Sequence, residues 1–458
     1  MRRRKDTVHR MKLKQTIDNS KGQVLILTVV AILALVGLSA LSIDLGMAYA
    51  VKAKLNSAVD AASLAAGKAI KTGADDTTRK QNAMAAANSY FAANFPTNYM
   101  GSSGTSFSVD KIVNDAGTWT VNVSASSAAP IFFSKMFNVP ITASAAAETT
   151  VRSLDMMLVL DCSGSLGSSF SALQQAAILF INGFQEGVGG DRVGLVTFAS
   201  GAVLNDAINK DANRGFTKSN LITHINSAAS NGATNAEEAM RIAKTEMDAI
   251  PSGIRSTLRV IVLFSDGAPN IVSGNFDNSG ATRTGGLWSQ GSSPAQPTDL
   301  YTINKLTSSG DPKTYSSILK LPAQDYTGTV NLASFNNART LTSSGSPATV
   351  NNTGCNVNKA ARNMVENIAN SARSGAGNSA ITIYAIGLGS QLKNNEVTSC
   401  SYGSQEYGEN IMKRLANTTD SDKYQSAQPS GMYVYAADST QLNSAFQKVR
   451  SLILRLSK

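Results

Sequence analysis

Five oxygen-bearing side chains in this sequence occur where they can hold a hard cation. Asp161-Cys162-Ser163-Gly164-Ser165 ends the apolar run Leu154-Asp155-Met156-Met157-Leu158-Val159-Leu160, so a buried strand delivers a carboxylate and two hydroxyls into a loop. Alternate residues of an extended segment project to one side. That spacing predicts that Asp161, Ser163 and Ser165 converge while Cys162 turns away into packing. A second apolar run, Arg259-Val260-Ile261-Val262-Leu263-Phe264, ends in Ser265-Asp266-Gly267 and returns another carboxylate. Between the two lies Asn231-Gly232-Ala233-Thr234-Asn235-Ala236-Glu237-Glu238-Ala239, a Gly-containing loop that opens a helix and offers the Thr234 hydroxyl. Carboxylate and hydroxyl oxygens suit Mg²⁺ or Ca²⁺ rather than zinc or copper.

These residues need a scaffold that brings two strand ends together. From Leu154 onward strand-like and helix-like patterns alternate, which predicts an α/β domain with a mostly parallel sheet covered on both faces. Strands are expected near 154–161, 191–199, 258–266, 380–387 and 432–436, and helices near 169–186, 235–248, 357–373, 405–417 and 438–455. Asp438 or Ser439 is the expected cap of the last helix. Ligands of open α/β sheets bind at the carboxyl ends of the strands, which is where Asp161 and Asp266 fall. A lone Asp-x-Ser-x-Ser also arises as an ordinary turn; the returning Asp266 is what makes it a candidate site.

Asp161, Ser163, Ser165, Thr234 and Asp266 match, one by one, the metal-ion-dependent adhesion site of von Willebrand factor A domains. The resemblance runs from about Leu154 to the C-terminus and implies a Rossmann-like fold. It also implies Mg²⁺ as the ion, with Ca²⁺ and Mn²⁺ as alternatives, one or both carboxylates acting through water. A protein partner's Asp or Glu would complete the shell. One departure is an insertion at about 268–356, rich in Ser, Thr, Asn and Gly and carrying Trp288, Tyr301, Tyr315 and Tyr326. Loops beyond about 15 residues are usually functional or disordered, so this one either roofs the site, forms a partner surface, or lacks order.

The rest of the chemistry argues against an enzyme. A metal-activated water wants a general base nearby, and the chain has two histidines. His9 belongs to the basic head, and His224 in Leu221-Ile222-Thr223-His224-Ile225 reads as a helix surface residue. Glu237 and Glu238 fall in the first turn of a helix, where the dipole favours acids in any case.

Charge is concentrated at the start. Arg2, Arg3, Arg4, Lys5, Arg10, Lys12, Lys14 and Lys21 against Asp6 and Asp18 place +6 of the formal +10 in the first 21 residues. Basic and aromatic residues interleaved on one face would mark a nucleic-acid binder, and the sequence has no such face. Instead the basic segment, 1–22, precedes an apolar span at 23–43, whose Val24–Ile43 run holds about twenty uncharged residues, long enough to cross a bilayer. Basic residues before the span and none close behind it until Lys52 predict a cytoplasmic N-terminus and an exported remainder. The competing reading is a cleaved signal peptide, with Ala40-Leu41-Ser42 as a small-x-small site. The length of the span and the helical pattern running through that site favour an anchor in a bacterial inner membrane. Cys355 and Cys400 are a candidate disulfide in an oxidising compartment, a pairing that their spacing alone leaves open.

Beyond the span, Leu45, Ala48, Tyr49, Lys52, Leu55, Val59, Ala62, Ala66 and Ala69 recur at helical spacing. The small residues of Asn56–Gly67 suit close approach to a partner helix, the other reading being an Ala-rich solvated helix. Gly22-Gln23, the apolar span, Ile43-Asp44-Leu45-Gly46 and Leu55-Asn56-Ser57-Ala58-Val59-Asp60-Ala61-Ala62 resemble the N-terminal region of TadG-type proteins of the tight adherence (Flp) pilus system. A prepilin-type cleavage after Gly22 is less well supported, because Leu27 stands where pilins usually carry Glu. A helix over 79–95 and strands at 107–109, 118–124 and 141–151 complete a small α+β module, so that 44–150 joins the anchor to an adhesion domain at 151–458. The expectation is a membrane-anchored pilus-assembly or adhesion protein that binds protein partners, other pilus components among them, through its metal. The alternatives are a structural envelope protein whose metal serves stability, and a metal-dependent hydrolase.

Overall fold

The computed structural model describes residues 3–72, 75–115, 118–132, 140–288, 299–306, 354–394 and 407–456, with single residues and short stretches between 313 and 341. Two compact units are present.

The first unit gathers helix α1 (Arg3–Ala69) and most of helix α2 (Asp76–Asn94) and of the sheet of β1 (Ser103–Asp115), β2 (Thr118–Ala128) and β3 (Thr142–Arg152), in the order β1-β2-β3. The stretch of α1 from Val24 is long and apolar enough to cross a membrane, and its side chains up to Ser39 are exposed. Burial begins at Ala40 and Asp44 and then follows helical spacing through Ala48, Val51, Leu55, Ala58, Val59, Ala62 and Ala66. The small-residue face is therefore covered. What meets it includes β3, since Ser63 hydrogen bonds to Thr149. Along β2 every second residue is buried (Trp119, Val121, Val123, Ala125), the alternation of a sheet with one covered face. Phe91 of α2 stacks on Phe107 of β1 with ring centroids 4.3 Å apart. All three strands extend beyond the short segments that alternation marks, because backbone pairing continues where the side chains are polar.

The second unit is built on a six-stranded sheet of β4 (Leu154–Asp161), β5 (Arg192–Phe198), β6 (Ala202–Asp206), β7 (Leu258–Ser265), β12 (Thr382–Leu388) and β13 (Tyr433–Ala436). Its order is β13-β12-β7-β4-β5-β6, parallel throughout except for β6, which turns back on β5. That edge strand lies outside the expected set because its pattern is too short and polar to stand out. Both faces are covered, and the strands divide their side chains accordingly. Met156, Leu158 and Leu160 of β4 and Val260, Val262 and Phe264 of β7 pack with α3 (Phe170–Ile181), α4 (Lys218–Ser227) and α8 (Leu442–Leu456). Met157, Val159, Ile261 and Leu263 face α5 (Ala236–Asp248), α7 (Gly408–Ala416) and the later half of α6 (Gly354–Arg373). Asp438 Oδ1 accepts the Thr440 N–H at 2.9 Å, capping the short turn that leads into α8.

The described part of the insertion is an ordered layer. β8 (Ile271–Asn278) and β9 (Ala281–Trp288) form an antiparallel hairpin that continues through β10 (Asp299–Tyr301) to β11 (Lys313–Thr314). Val272, Phe276, Leu287 and Leu300 form their own core with Ile318, Leu321 and Leu341 against Val357, Ala360, Ala361 and Met364 at the start of α6. Composition pointed toward a loop because the apolar residues are few, but they fall on one face of a hairpin and meet a helix. Tyr315 lies outside the described residues. Cys355 is disulfide-bonded, and its expected partner Cys400 also lies outside them.

At the amino edge of the sheet, away from the candidate site, Asp155 is fully buried and holds two guanidinium groups. Its Oδ1 accepts from Arg192 Nη1 at 3.0 Å, Arg214 Nη2 at 2.9 Å and Ser256 Oγ at 2.8 Å, and its Oδ2 accepts from the Ser256 N–H at 2.8 Å. Removing one partner of a buried ion pair strands the other charge. Asp155→Ala is expected to lower the unfolding free energy by about 3–5 kcal/mol, read from urea denaturation, whereas truncating exposed Lys52 should change it by less than about 0.5 kcal/mol.

Candidate metal centre

The parallel register of β4 and β7 sets the two carboxylates side by side. Leu160 pairs with Phe264, so Asp161 stands level with Ser265 and Asp266 follows one residue beyond. From β4 the chain moves to one side of the sheet (β5, β6) and then crosses back to β7 on the other, and that reversal opens a crevice at the carboxyl ends. Asp161 is fully buried and Asp266 nearly so.

Ser163 is extended, as alternation requires, but Ser165 is not: it lies in a 3₁₀ turn, Gly164–Ser169. Alternation therefore brings Asp161 and Ser163 to one side but does not extend to Ser165, since the strand ends at Asp161. The turn delivers Ser165 to the same place by another route. Ser163 Oγ and Ser165 Oγ are 3.0 Å apart, and they donate to Asp266 Oδ1 at 3.4 and 2.8 Å. Ser165 is exposed, which sets the opening of the cluster there. Asp161 is oriented by the Ser163 N–H on Oδ1 at 2.7 Å and by Ser265 Oγ on Oδ2 at 2.6 Å. Cys162 is free, buried and turned away, its backbone N–H joined to Phe198 O of β5.

The Thr234 loop reaches the cluster through a close backbone approach. The Gly164 N–H donates to Gly232 O at 3.0 Å, and a Cβ on Gly164 would sit 3.4 Å from that oxygen. Gly232 itself has φ +85, a conformation that L side chains rarely adopt. Ser230 Oγ donates to Ser163 O at 2.6 Å, and the Asn231 N–H to Cys162 O at 2.9 Å. Thr234 is buried, with Oγ1 lying 3.7 Å from where a Cβ on Gly267 would be. All five expected residues thus meet at one edge of the sheet.

Electrostatics say what the cluster lacks. Burial, and behind it the charge of Asp266, push the Asp161 carboxyl up to about 7, and burial pushes Asp266 up as well. Among the described residues no Lys, Arg or His forms an ion pair with either. Two buried carboxylates without a counter-charge are costly, and a divalent cation would relieve both. The donor set fits one: every side-chain group is a carboxylate or hydroxyl oxygen, and a hydroxyl that donates to a carboxylate keeps lone pairs for a metal. With few protein charges on it, a bound Mg²⁺ would supply Lewis acidity toward an incoming oxygen ligand. Among the described residues no group of three or more His, Cys, Asp or Glu could hold a metal ion, so a cation here would depend on the hydroxyls as well.

Several supporting residues were not read from the sequence. Asn270 holds the Thr234 backbone from both sides, its Oδ1 accepting the Thr234 N–H at 2.9 Å and its own N–H donating to Thr234 O at 3.1 Å. Asn235 caps α5 and donates through Nδ2 to Ser200 O at 3.2 Å and Ser273 Oγ at 3.1 Å. Glu237 accepts the Ser273 N–H at 2.5 Å, and burial followed by Glu238 pushes its carboxyl up to about 8. Glu238 is paired with Arg241 and accepts from Tyr326 Oη at 2.8 Å. The two glutamates are thus held inside by the insertion, a role indistinguishable in sequence from ordinary acids in a first helical turn. Ser265 had a signal, a hydroxyl breaking an apolar run. His224 pairs with Asp206 at 2.7 Å on the partly exposed surface and takes no part in the cluster.

Residues 156–268 match the family model of the von Willebrand factor type A domain, and residues 22–75 match that described as putative Flp pilus-assembly TadE/G-like. No curated protein matches the chain. Among solved structures, similarity is found to the vWF domain of the type V pili tip protein Mfa5 from Porphyromonas gingivalis, at 15% identity and TM-score 0.38, covering 68% of this chain and 98% of that one. It is also found to the pilus adhesin SpaC from Lactobacillus rhamnosus GG, at 14% identity and TM-score 0.38, covering 77% of this chain and 34% of that one. At this identity and overlap neither likeness bears on ligand or partner. The chain therefore carries a Flp pilus-assembly TadE/G-like segment at 22–75 and a von Willebrand factor type A domain over 156–268.

Proposed function

We propose that this chain is a membrane-anchored protein of pilus assembly or adhesion, whose exported von Willebrand factor A domain binds protein partners through a divalent cation. Asp161, Ser163, Ser165, Thr234 and Asp266 hold the ion, Mg²⁺ with Ca²⁺ or Mn²⁺ as substitutes. The observation that carries the reading is two buried carboxylates and three hydroxyls gathered at the switch point of the sheet, with an opening at exposed Ser165. A partner's Asp or Glu enters through that opening as the remaining ligand. The basic residues before Val24 and the apolar helix behind them support an inner-membrane anchor with a cytoplasmic N-terminus. The TadE/G-like match supports other pilus components as partners.

A second reading, a structural envelope protein whose ion serves stability alone, is favoured by the complete burial of Asp161. Asp161→Asn tests the ion site, and EDTA separates the two. Under the leading reading, calorimetry detects Mg²⁺ or Mn²⁺ on the parent chain and not on the variant. EDTA added before cross-linking then removes the partners otherwise captured from envelope preparations. Loss of thermal stability with partners retained in EDTA favours the second reading, and turnover abolished by EDTA would instead indicate a hydrolase.

The raised Asp161 fixes the sign of a pH effect. Its folded-state pKa, about 7, exceeds the ordinary 3.8, so the folded metal-free chain holds the proton more tightly than the unfolded one. That contribution is complete below 3.8 and is lost as pH rises through about 7. In EDTA the denaturation midpoint should fall across this window, and saturating Mg²⁺, which takes the proton's place, should abolish or reverse the slope.

Asn270 supplies a test outside the ligand set. Asn270→Ala leaves all five ligands in place but removes the side-chain acceptor of the Thr234 N–H, and should weaken Mg²⁺ binding by about 10–100-fold in calorimetry.

A further inference from the structure

The first unit places an aromatic side chain where the bilayer surface must be. Val24–Ile43 spans about 30 Å as a helix, the thickness of the hydrocarbon core. Asp44 ends that span, yet its side chain is completely buried within the folded unit. Its Oδ1 accepts the backbone N–H of Phe132 at 3.0 Å. The segment after β2 is therefore fastened to α1 at the level where hydrocarbon gives way to headgroups.

The Phe132 side chain is 64% exposed. On the same level of α1, Leu41, Ile43 and Leu45 are also about half exposed, at 48%, 52% and 53%. In water such a group of large apolar side chains would be costly. Beside a membrane span it is favourable, because Phe and Leu side chains partition about 5–10 Å into the headgroup and acyl boundary. The buried Asp44 carboxylate fixes the depth: a charge at the end of the span is kept out of lipid by accepting a backbone N–H, and the residue that donates is the one with the exposed ring.

We propose that the Pro130–Phe132 segment is a membrane-contact element, with the Phe132 ring inserted in the interfacial layer of the exported leaflet beside the end of the anchor helix. The partner is the lipid surface itself, engaged through apolar area and not through headgroup charge. Asp44 is the latch that holds the segment at that depth. A second attachment at the helix exit would restrain rotation and tilt of the first unit on the membrane. This inference rests on the reading of Val24–Ile43 as an anchor.

The test uses the full chain reconstituted in phosphatidylcholine vesicles brominated at shallow or deep acyl positions. Phe132→Trp and Leu35→Trp are compared with the parent, whose two tryptophans set the background. Expected for Phe132→Trp is a blue-shifted emission quenched more by shallow than by deep bromines, and for Leu35→Trp stronger quenching by deep ones. If neither is quenched, the anchor reading fails and this inference with it. Quenching of Leu35→Trp without any of Phe132→Trp overturns the inference alone, and a blue shift without quenching does so by showing the ring covered by protein.

Discussion

Asp161 and Asp266 leave neighbouring parallel strands one residue apart in register, and the edge on which they stand is closed to water around Asp161. Two like charges so placed repel one another and lose hydration together. Much of the surrounding architecture can be understood as compensation. Ser163, Ser165 and Ser265 donate to the pair, the Ser163 N–H adds another bond, and what remains uncompensated is the charge itself. A proton relieves that stress and a cation would do the same, so the two would compete for the same oxygens.

That constraint gives the insertion a meaning beyond its composition. It begins immediately after Asp266 and returns polar contacts to the N-terminal turn of α5, the turn that presents Thr234. Asn270 fixes the Thr234 backbone, Ser273 meets Asn235 and Glu237, and Tyr326 meets Glu238. A helix start carrying two buried acids would be unfavourable without these partners. The Thr234 loop and the insertion are therefore one assembly, and the hairpin β8–β9 is secured by its own apolar core against α6.

In the first unit the same physics acts at a different scale. Asp44 is a carboxylate at the end of an apolar span, stabilised by a backbone N–H from a segment nearly ninety residues away in sequence. The Ala-rich continuation of α1 is buried at Ala58, Ala62 and Ala66, and small side chains there permit close contact with the structure over them.

The five ligand candidates, the parallel sheet and the long apolar helix were legible in the sequence because each is a local signal. An apolar run followed by Asp marks a strand end, alternation separates Ser163 from Cys162, and about twenty uncharged residues mark a span. The sequence by itself thus determined which side chains are the candidates and on which elements they stand. Tertiary structure decided the rest. Ser165 arrives through a 3₁₀ turn and not by strand alternation, Asn270 and Tyr326 matter only because the insertion folds back on α5, and Phe132 is paired with Asp44 across a long stretch of chain. Periodicity records only which face of an element is covered. Which distant residue covers it, and whether a buried carboxylate finds a donor there, depends on the packing of the whole unit.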